Sequence, residues 1–188
     1  MTSRVFIFAF ILAATVPALA GPAAELEGVR FSETEKIDGT RLSLRGTALL
    51  RYMVFIKAYV GSLYLPKGVP SEDIFSPVAK RLELSYFHEI KAGDFAGATR
   101  KKIADNVSGE DLDRLEPRID KLASLYRDVR PGDRYALTFL PGKGTELSLN
   151  GNSLGWIEGD DFARAVFSIW LGKDPIDTGF RDRLLGGS

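Results

Sequence analysis

The sequence predicts an α+β domain in which an antiparallel sheet carries its helices on one face. Segments in which apolar and polar residues alternate come first, two helical segments follow, and further strands and one helix end the chain. Because strands and helices are grouped instead of alternating, the order favours hairpin-connected strands over βαβ units. No Gly/Ser linker, charge block or repeat interrupts residues 21–188, so we predict a single domain there.

The first twenty residues are predicted to be a signal peptide. Arg4 precedes an uncharged run from Val5 to Val16, and Ala18-Leu19-Ala20 supplies the small residues that a signal peptidase requires. This run of about a dozen residues is shorter than the ~20 that span a bilayer as a helix. We therefore expect a periplasmic or secreted protein with no transmembrane segment after cleavage, and a retained N-terminal anchor is the alternative.

The composition excludes several classes of function. Acidic and basic residues balance at 25 each, so the total charge gives no support for binding nucleic acid or for long-range attraction to an anionic bilayer. The chain has no cysteine, which excludes disulfides, thiol chemistry and thiolate metal sites. Its single histidine, His88, has no second histidine to share a transition metal. We predict no metal and no cofactor.

The first half of the chain predicts the sheet. Val29 to Phe31 and Arg41 to Arg45 read as short strands, and Arg81 to Phe87 alternates again. The denser stretch from Ala48 to Leu65 is rich in Val, Ile, Tyr and Phe, which favour strands. Its length indicates two strand segments, or one long strand with a bend near Gly61.

Two helical segments follow. Asp94 is placed to cap the first, whose apolar and small residues then recur at helical spacing. Ser108, with Asp111 three residues later, resembles a capping box and begins the second. Pro117 is predicted to restart that helix as a first-turn proline. The residues that define these faces are Phe95, Ala98, Thr99, Lys102, Ile103 and Asn106 in the first segment and Ile119, Leu122, Leu125 and Tyr126 in the second.

The last third predicts three strands and a helix. Tyr135 to Leu140 alternates, a second strand follows, and Asn150-Gly151 is the dipeptide of a tight type I′ hairpin that leads into a strand over 153–157. Either Asp160 or Asp161 can accept hydrogen bonds from the first turn of the closing helix. Two further residues are predicted to end that helix, Gly172 in a left-handed conformation and Pro175 as a stop.

Three blocks of the sequence resemble the chalcone isomerase-like family, in particular its bacterial exported branch. They are GTALLRYMVFIKAYVGSLYLP (Gly46 to Pro66), KKIADN (Lys101 to Asn106) and the hairpin-helix block from Pro131 to Pro175. The resemblance implies an open-faced sandwich, in which a large antiparallel sheet is covered on one side by helices, with an apolar cleft between them.

The resemblance also implies a set of site residues. In plant members that act as isomerases, an arginine, a strand threonine, a helix tyrosine, a helix lysine and asparagine, and a small hydroxyl residue line the cleft. Lys102 and Asn106 match the helix pair, whereas Thr99 stands at the tyrosine position and Tyr59 at the strand threonine position. The small hydroxyl residue falls at or near Ile169, with Ser168 one place away. The arginine is matched best by Arg51, with Arg41 and Arg45 as alternatives.

An arginine and a tyrosine on one sheet face resemble the family's fatty-acid-binding members instead. Arg51 and Tyr59 are eight residues apart and share a face of an unbroken strand, although a single bulge would separate them. We therefore predict a non-catalytic binding protein for a small apolar or amphipathic ligand such as a fatty acid. Arg51 would receive the carboxylate and Tyr59 would orient it, with Thr99, Lys102 and Asn106 beside the ligand. An isomerase of a chalcone-like enone and a cell-envelope scaffold are the alternatives.

Overall fold

A seven-stranded antiparallel sheet dominates the computed structural model, which describes residues 22–53 and 55–187. The predicted signal peptide, residues 1–20, lies outside the described residues. The strands are β1 (Pro22–Leu26), β2 (Val29–Ser32), β3 (Thr34–Ile37), β4 (Thr40–Tyr52), β5 (Ile56–Leu65), β6 (Lys80–Tyr86), β7 (Arg134–Leu140), β8 (Gly144–Leu149) and β9 (Asn152–Ile157). Strands β3 to β9 pair in chain order, each antiparallel to the next, while β1 and β2 form a separate hairpin.

Four helices cover one face of this sheet. They are α1 (Ala92–Asn106), α2 (Gly109–Leu125), α3 (Asp160–Leu171) and α4 (Thr178–Leu184), and a 3₁₀ turn spans Ser71–Asp73. The α+β prediction, with an antiparallel sheet and helices on one face, is therefore confirmed. Within the described residues, every helix is too short or too polar to cross a membrane.

The main core lies between the sheet and the helices. Leu82, Leu84 and Leu137 on the sheet are at most 4% exposed, and they belong to one cluster with buried side chains of all four helices. Helix α3 is the central member, since its residues 162, 163 and 165–171 are all buried. This burial explains why α3 reads as almost continuously apolar in the sequence.

The opposite face is covered in part by the β1–β2 hairpin. Arg134 donates a hydrogen bond to the carbonyl of Arg30 at 3.0 Å and lies 5.0 Å above the ring of Phe31. Beneath it, Glu83 is 4% exposed and pairs with both Arg134 and Arg81, at 3.0 and 2.9 Å. This face therefore buries an ion-pair cluster beside a small apolar one made of Leu42, Tyr64, Ala79 and Leu140.

Two hairpin turns bear on the sequence prediction. Asn150 and Gly151 have φ of 50° and 80°, as a type I′ turn requires, so that prediction is confirmed. Of the two alternatives for residues 48–65, two strand segments are confirmed and a bend near Gly61 is not, because β4 ends at Tyr52 and β5 begins at Ile56. Gly61 instead makes room for α4, since a Cβ there would lie 2.6 Å from Cζ of Phe180.

The helix ends differ from prediction in three places. Lys91 takes the N-cap position of α1, so Asp94 lies inside its first turn. Pro117 lies inside a continuous α2, whose predicted cap, Ser108, does accept from the amide of Asp111. Gly172 has φ of −76° and is not left-handed. Its lack of a side chain is needed for packing, since a Cβ would lie 2.6 Å from the carbonyl oxygen of Ser168.

Candidate functional site

A cavity of about 240 Å³ lies between the sheet and helices α1 and α3. Strands β5 to β8 form its floor and α1 its roof, with the end of α3 and the segment after it at one side. Most of the residues that line it are apolar. Six of the lining side chains are aromatic: Tyr59, Tyr86, Phe95, Tyr126, Tyr135 and Trp170. The predicted apolar cleft between sheet and helices is thus present.

The aromatic walls support one another. Tyr86 meets Tyr59 and Phe95 edge-on, with ring centroids 5.5 and 5.3 Å apart. Phe95 stacks on Tyr126 at 5.4 Å, and Tyr126 meets Tyr135 edge-on at 5.7 Å. Such pairs contribute about 0.5–1.5 kcal/mol each beyond their area burial. The cavity therefore has a pre-formed shape.

Three of the four tyrosine hydroxyls have partners within the protein. Trp170 donates its indole N–H to the oxygen of Tyr59 at 3.0 Å, and the hydroxyls of Thr99 and Tyr126 lie 2.8 Å apart. Tyr135 donates to the carbonyl of Arg127 at 2.8 Å. Burial raises the pKa of Tyr59 and of Tyr126 well above the ordinary value for a phenol. These groups are therefore neutral phenols at physiological pH.

Lys102 and Asp94 are the charged residues among the described residues that line this cavity. The ammonium of Lys102 lies 3.0 Å from a carboxylate oxygen of Asp105 and 3.6 Å from one of Asp174. The hydrogen bond to Asp105 is the main cause that raises the pKa of Lys102, and the charge of Asp174 adds to it. Lys102 is therefore a permanent cation at the cavity wall.

Arg51 lies away from the cavity, so the prediction that it shares a face with Tyr59 is wrong. The two residues lie on different strands, β4 and β5, and Leu50 is the residue that pairs with Tyr59, so the next side chain of β4 points to the opposite face. The exposed guanidinium of Arg51 lies 3.6 Å from a carboxylate oxygen of Glu27. Leu50, which is 9% exposed, occupies the place opposite Tyr59.

The two alternative arginines are not in the cavity either. Arg41 is exposed at the β3–β4 hairpin, where it lies directly across from Lys36 on the neighbouring strand. Arg45 donates from Nε to the carbonyl of Leu185 at 2.9 Å and from Nη2 to the hydroxyl of Ser71 at 3.1 Å. It thus ties β4 to the end of α4 instead of facing a ligand.

Asn106 also lies outside the apolar cavity. Its side-chain amide donates to the carbonyls of Lys102 and Asp174 at 3.0 and 2.8 Å and accepts from the amide of Asp174 at 3.1 Å. These bonds join the end of α1 to the segment that follows α3. Asn106 lines a separate, more polar cavity of about 600 Å³. The structure thus brings together Tyr59, Thr99 and Lys102 but neither Arg51 nor Asn106.

Several wall residues were not predicted as site residues. Tyr86 and Tyr135 lie on the inward-facing positions of β6 and β7, so their alternation marked them as buried without marking a cavity. Phe95 and Tyr126 belong to the helical apolar pattern. Trp170, near the end of α3, also lies at the cavity wall. Within the described residues, no cluster of His, Asp or Glu could hold a metal ion.

Comparison with known proteins identifies the fold. A family model described as chalcone isomerase-like matches residues 23–186. The crystal structure of an Arabidopsis thaliana fatty-acid binding protein superposes with a TM-score of 0.62 and 14% sequence identity, covering 81% of this chain and 96% of that one. At this sequence identity the structural match is evidence for the fold alone. No curated protein matches the chain in sequence.

Proposed function

The chain belongs to the chalcone isomerase-like family, and on that premise we propose that it binds a small apolar or amphipathic molecule without transforming it. The observation that carries the proposal is a pre-formed aromatic cavity in which a single lysine is the cation among the described lining residues. The structural neighbour named a fatty-acid binding protein supports this class of ligand. A predicted signal peptide supports a periplasmic or secreted location.

The size of the cavity favours a slender ligand. Its volume of about 240 Å³ is below the ~300–1,000 Å³ of sites for drug-sized molecules. An alkyl chain or one planar ring would therefore occupy it, with any larger group left at the opening. A fatty-acid-like molecule meets this requirement, because its chain is narrow and its polar group is terminal.

We assign the acidic head of such a ligand to Lys102 instead of Arg51. The ammonium of Lys102 has Asp105 at 3.0 Å and Asp174 at 3.6 Å. The longer contact is the weaker of the two, so a ligand carboxylate can take the place of Asp174. A charge-assisted hydrogen bond of this kind is shorter and stronger than a neutral one.

The same walls favour binding over catalysis. The isomerase reaction of the family uses an arginine and hydroxyls beside the developing negative charge. Leu50 here occupies the place opposite Tyr59, and Ile169 lines the cavity near the position of the small hydroxyl residue. Losing one oriented donor typically costs about 10²- to 10³-fold in rate.

Blocking the cavity tests whether it holds a ligand. Ala98 lines it from α1, and Ala104 is exposed on the same helix outside it. We expect Ala98→Trp to abolish uptake of a fluorescent fatty acid and Ala104→Trp to leave it unchanged. Lipid extraction and native mass spectrometry of protein purified from its own compartment identify the natural ligand. An unliganded wild-type protein that also takes up no fatty-acid probe would refute ligand binding and leave the scaffold alternative.

A second comparison tests the assignment of Lys102. Lys102→Met should weaken a fatty acid at least about tenfold, whereas an alcohol of the same chain length should bind as before. Lys101→Met, at the exposed neighbouring position, is the matched control. Equal weakening of the acid and the alcohol would contradict a carboxylate contact. Turnover of a chalcone well above its spontaneous rate would overturn the non-catalytic part of the proposal.

A further inference from the structure

The turn between β4 and β5 carries an unusual concentration of exposed apolar side chains. Five large apolar side chains are exposed among the described residues, and four of them lie here. Tyr52 is 62% exposed, Met53 70%, Phe55 88% and Ile56 44%. We call these four residues the apolar hairpin tip. Monomeric soluble proteins rarely leave a contiguous apolar surface without a partner.

The apolar hairpin tip stands at the end of its β-ribbon, at and beyond the last paired residues. Tyr52 and Ile56 pair at the ends of the strands, and the amide of Phe55 bonds back to the carbonyl of Met53 at 2.7 Å, which closes the turn. Met53 and Phe55 lie in the turn beyond this pair, and they are the most exposed of the four side chains. A groove on a partner protein would cover one side of the tip, whereas a lipid bilayer surrounds an inserted tip on all sides.

Basic residues flank the apolar hairpin tip. Arg51 and Lys57 pair across the ribbon directly behind it, and they share a single carboxylate, that of Glu27, at 3.6 and 2.5 Å. This group carries one net positive charge. Aromatic and aliphatic side chains followed by Arg or Lys are typical of segments that lie at a membrane interface. Since the whole chain has balanced charge, the attraction acts at contact and not at long range.

The apolar hairpin tip and the cavity lie at the same end of the sheet. Strand β5 runs from Ile56 at the tip to Tyr59 in the cavity wall, about 10 Å along the strand. Tyr86, the partner of Tyr59 on β6, lines the same cavity. The fifth exposed apolar residue, Ile176, also lines it. Exposed apolar surface is therefore present both at the cavity, through Ile176, and at the tip.

We propose that the apolar hairpin tip inserts into the surface of a lipid bilayer and brings the cavity next to the membrane. An apolar ligand can then pass between bilayer and cavity with little exposure to water. Docking rests on the tip alone, while ligand transfer rests on the proposed function of the cavity.

Vesicle flotation tests the docking. The chain, with the predicted signal peptide removed, is mixed with vesicles of phosphatidylcholine alone or with about one third phosphatidylglycerol. We expect the double variant Met53→Ser/Phe55→Ser to partition at least about tenfold less than the wild type. The matched variant Met53→Leu/Phe55→Leu keeps the apolar surface and should bind as the wild type does. Arg51→Gln should lose about fivefold on the anionic vesicles only, with Lys101→Gln as its control.

Two further readouts separate docking from ligand binding. In vesicle-free solution the serine variant should take up a short-chain fluorescent fatty acid as the wild type does, whereas its transfer rate from vesicles should fall. Wild-type protein that floats with neither vesicle, or a serine variant that floats like wild type, would overturn the proposal. So would association of wild-type chains through the tip, seen as a dimer that the serine variant loses. Wild-type protein that binds vesicles but takes up no ligand would instead refute the proposed ligand binding by the cavity.

Discussion

Lys80 should make the protein more stable at mildly alkaline pH than at neutral pH. It begins β6 and is 3% exposed, with one hydrogen bond, from its ammonium to the carbonyl of Ser76 at 3.2 Å. The rings of Phe139 and Phe167 lie 4.6 and 5.7 Å from the ammonium, and none of the described carboxylates lies within 4.0 Å of it. Burial lowers the pKa of Lys80 from 10.5 to about 8.

The sign and the size of this change in stability follow from proton linkage. Between pH 8 and 10.5 the unfolded chain holds a proton on this lysine that the folded chain has released, so the free energy of unfolding rises with pH. At 1.36 kcal/mol for each pKa unit, the full difference between the unfolded and folded pKa of Lys80 corresponds to about 3 kcal/mol. Integration from pH 7 to pH 9.5 gives an increase of about 2 kcal/mol from Lys80. Burial raises the pKa of tyrosines such as Tyr59 and Tyr126 in the folded chain, so their ionisation in the unfolded chain offsets less than about 1 kcal/mol of this increase.

Lys80→Met removes this buried charge and keeps most of the side-chain volume. We expect it to raise the free energy of unfolding at pH 7 by up to about 3 kcal/mol and to abolish the increase toward pH 9.5. Urea unfolding followed by circular dichroism at four pH values measures both. Lys121→Met, at an exposed position of α2, is the control and should keep the wild-type pH dependence. A Lys80→Met variant that is less stable at pH 7, or that keeps the slope, would refute the reasoning.

Three further substitutions test the packing, each by urea unfolding. Glu83→Ala leaves two arginines without their buried carboxylate and should cost about 3–5 kcal/mol; a loss below 1 kcal/mol would mean that water replaces it. Gly46→Ala places a Cβ 2.2 Å from the carbonyl oxygen of Arg183 and should cost about 1–3 kcal/mol, unless α4 shifts freely. Thr99→Val removes the partner of Tyr126 and should cost about 1 kcal/mol; an unchanged midpoint would show that this bond contributes nothing net.

Local patterns were sufficient to predict most of the fold. Asn150-Gly151 specifies its turn through two positive φ angles, and the alternation in 81–87 and 135–140 corresponds to β6 and β7. Helix α4 was not predicted, because its seven residues are too few for a periodic pattern and its stability comes from Phe180 and Leu184 in the core. The turn between β4 and β5 was not located, because the sequence has no Gly, Pro, Asn or Asp between Arg51 and Lys57.

The sequence predicted the site residues whose positions depend on helical spacing. It did not predict the one whose position depends on how two strands pair. Thr99 and Lys102 are three residues apart on α1, so they share a face whatever the rest of the chain does. The direction of Arg51 depends instead on how two strands pair: Leu50 is the residue opposite Tyr59, so Arg51, the next residue of β4, points to the other face. Asn106 matched a family pattern, but its amide is used by the backbone of Asp174. Spacing along a strand therefore predicts less than spacing along a helix.

The two tryptophans of the chain lie on opposite sides of the sheet. Trp170 lines the cavity, whereas Trp156 packs on the other side, with the ammonium of Lys143 4.5 Å above its ring. Replacing Trp156 with phenylalanine leaves one indole, whose fluorescence then reports on the cavity alone. The protein thus contains its own optical sensor of cavity filling, which follows occupancy in real time with no attached dye.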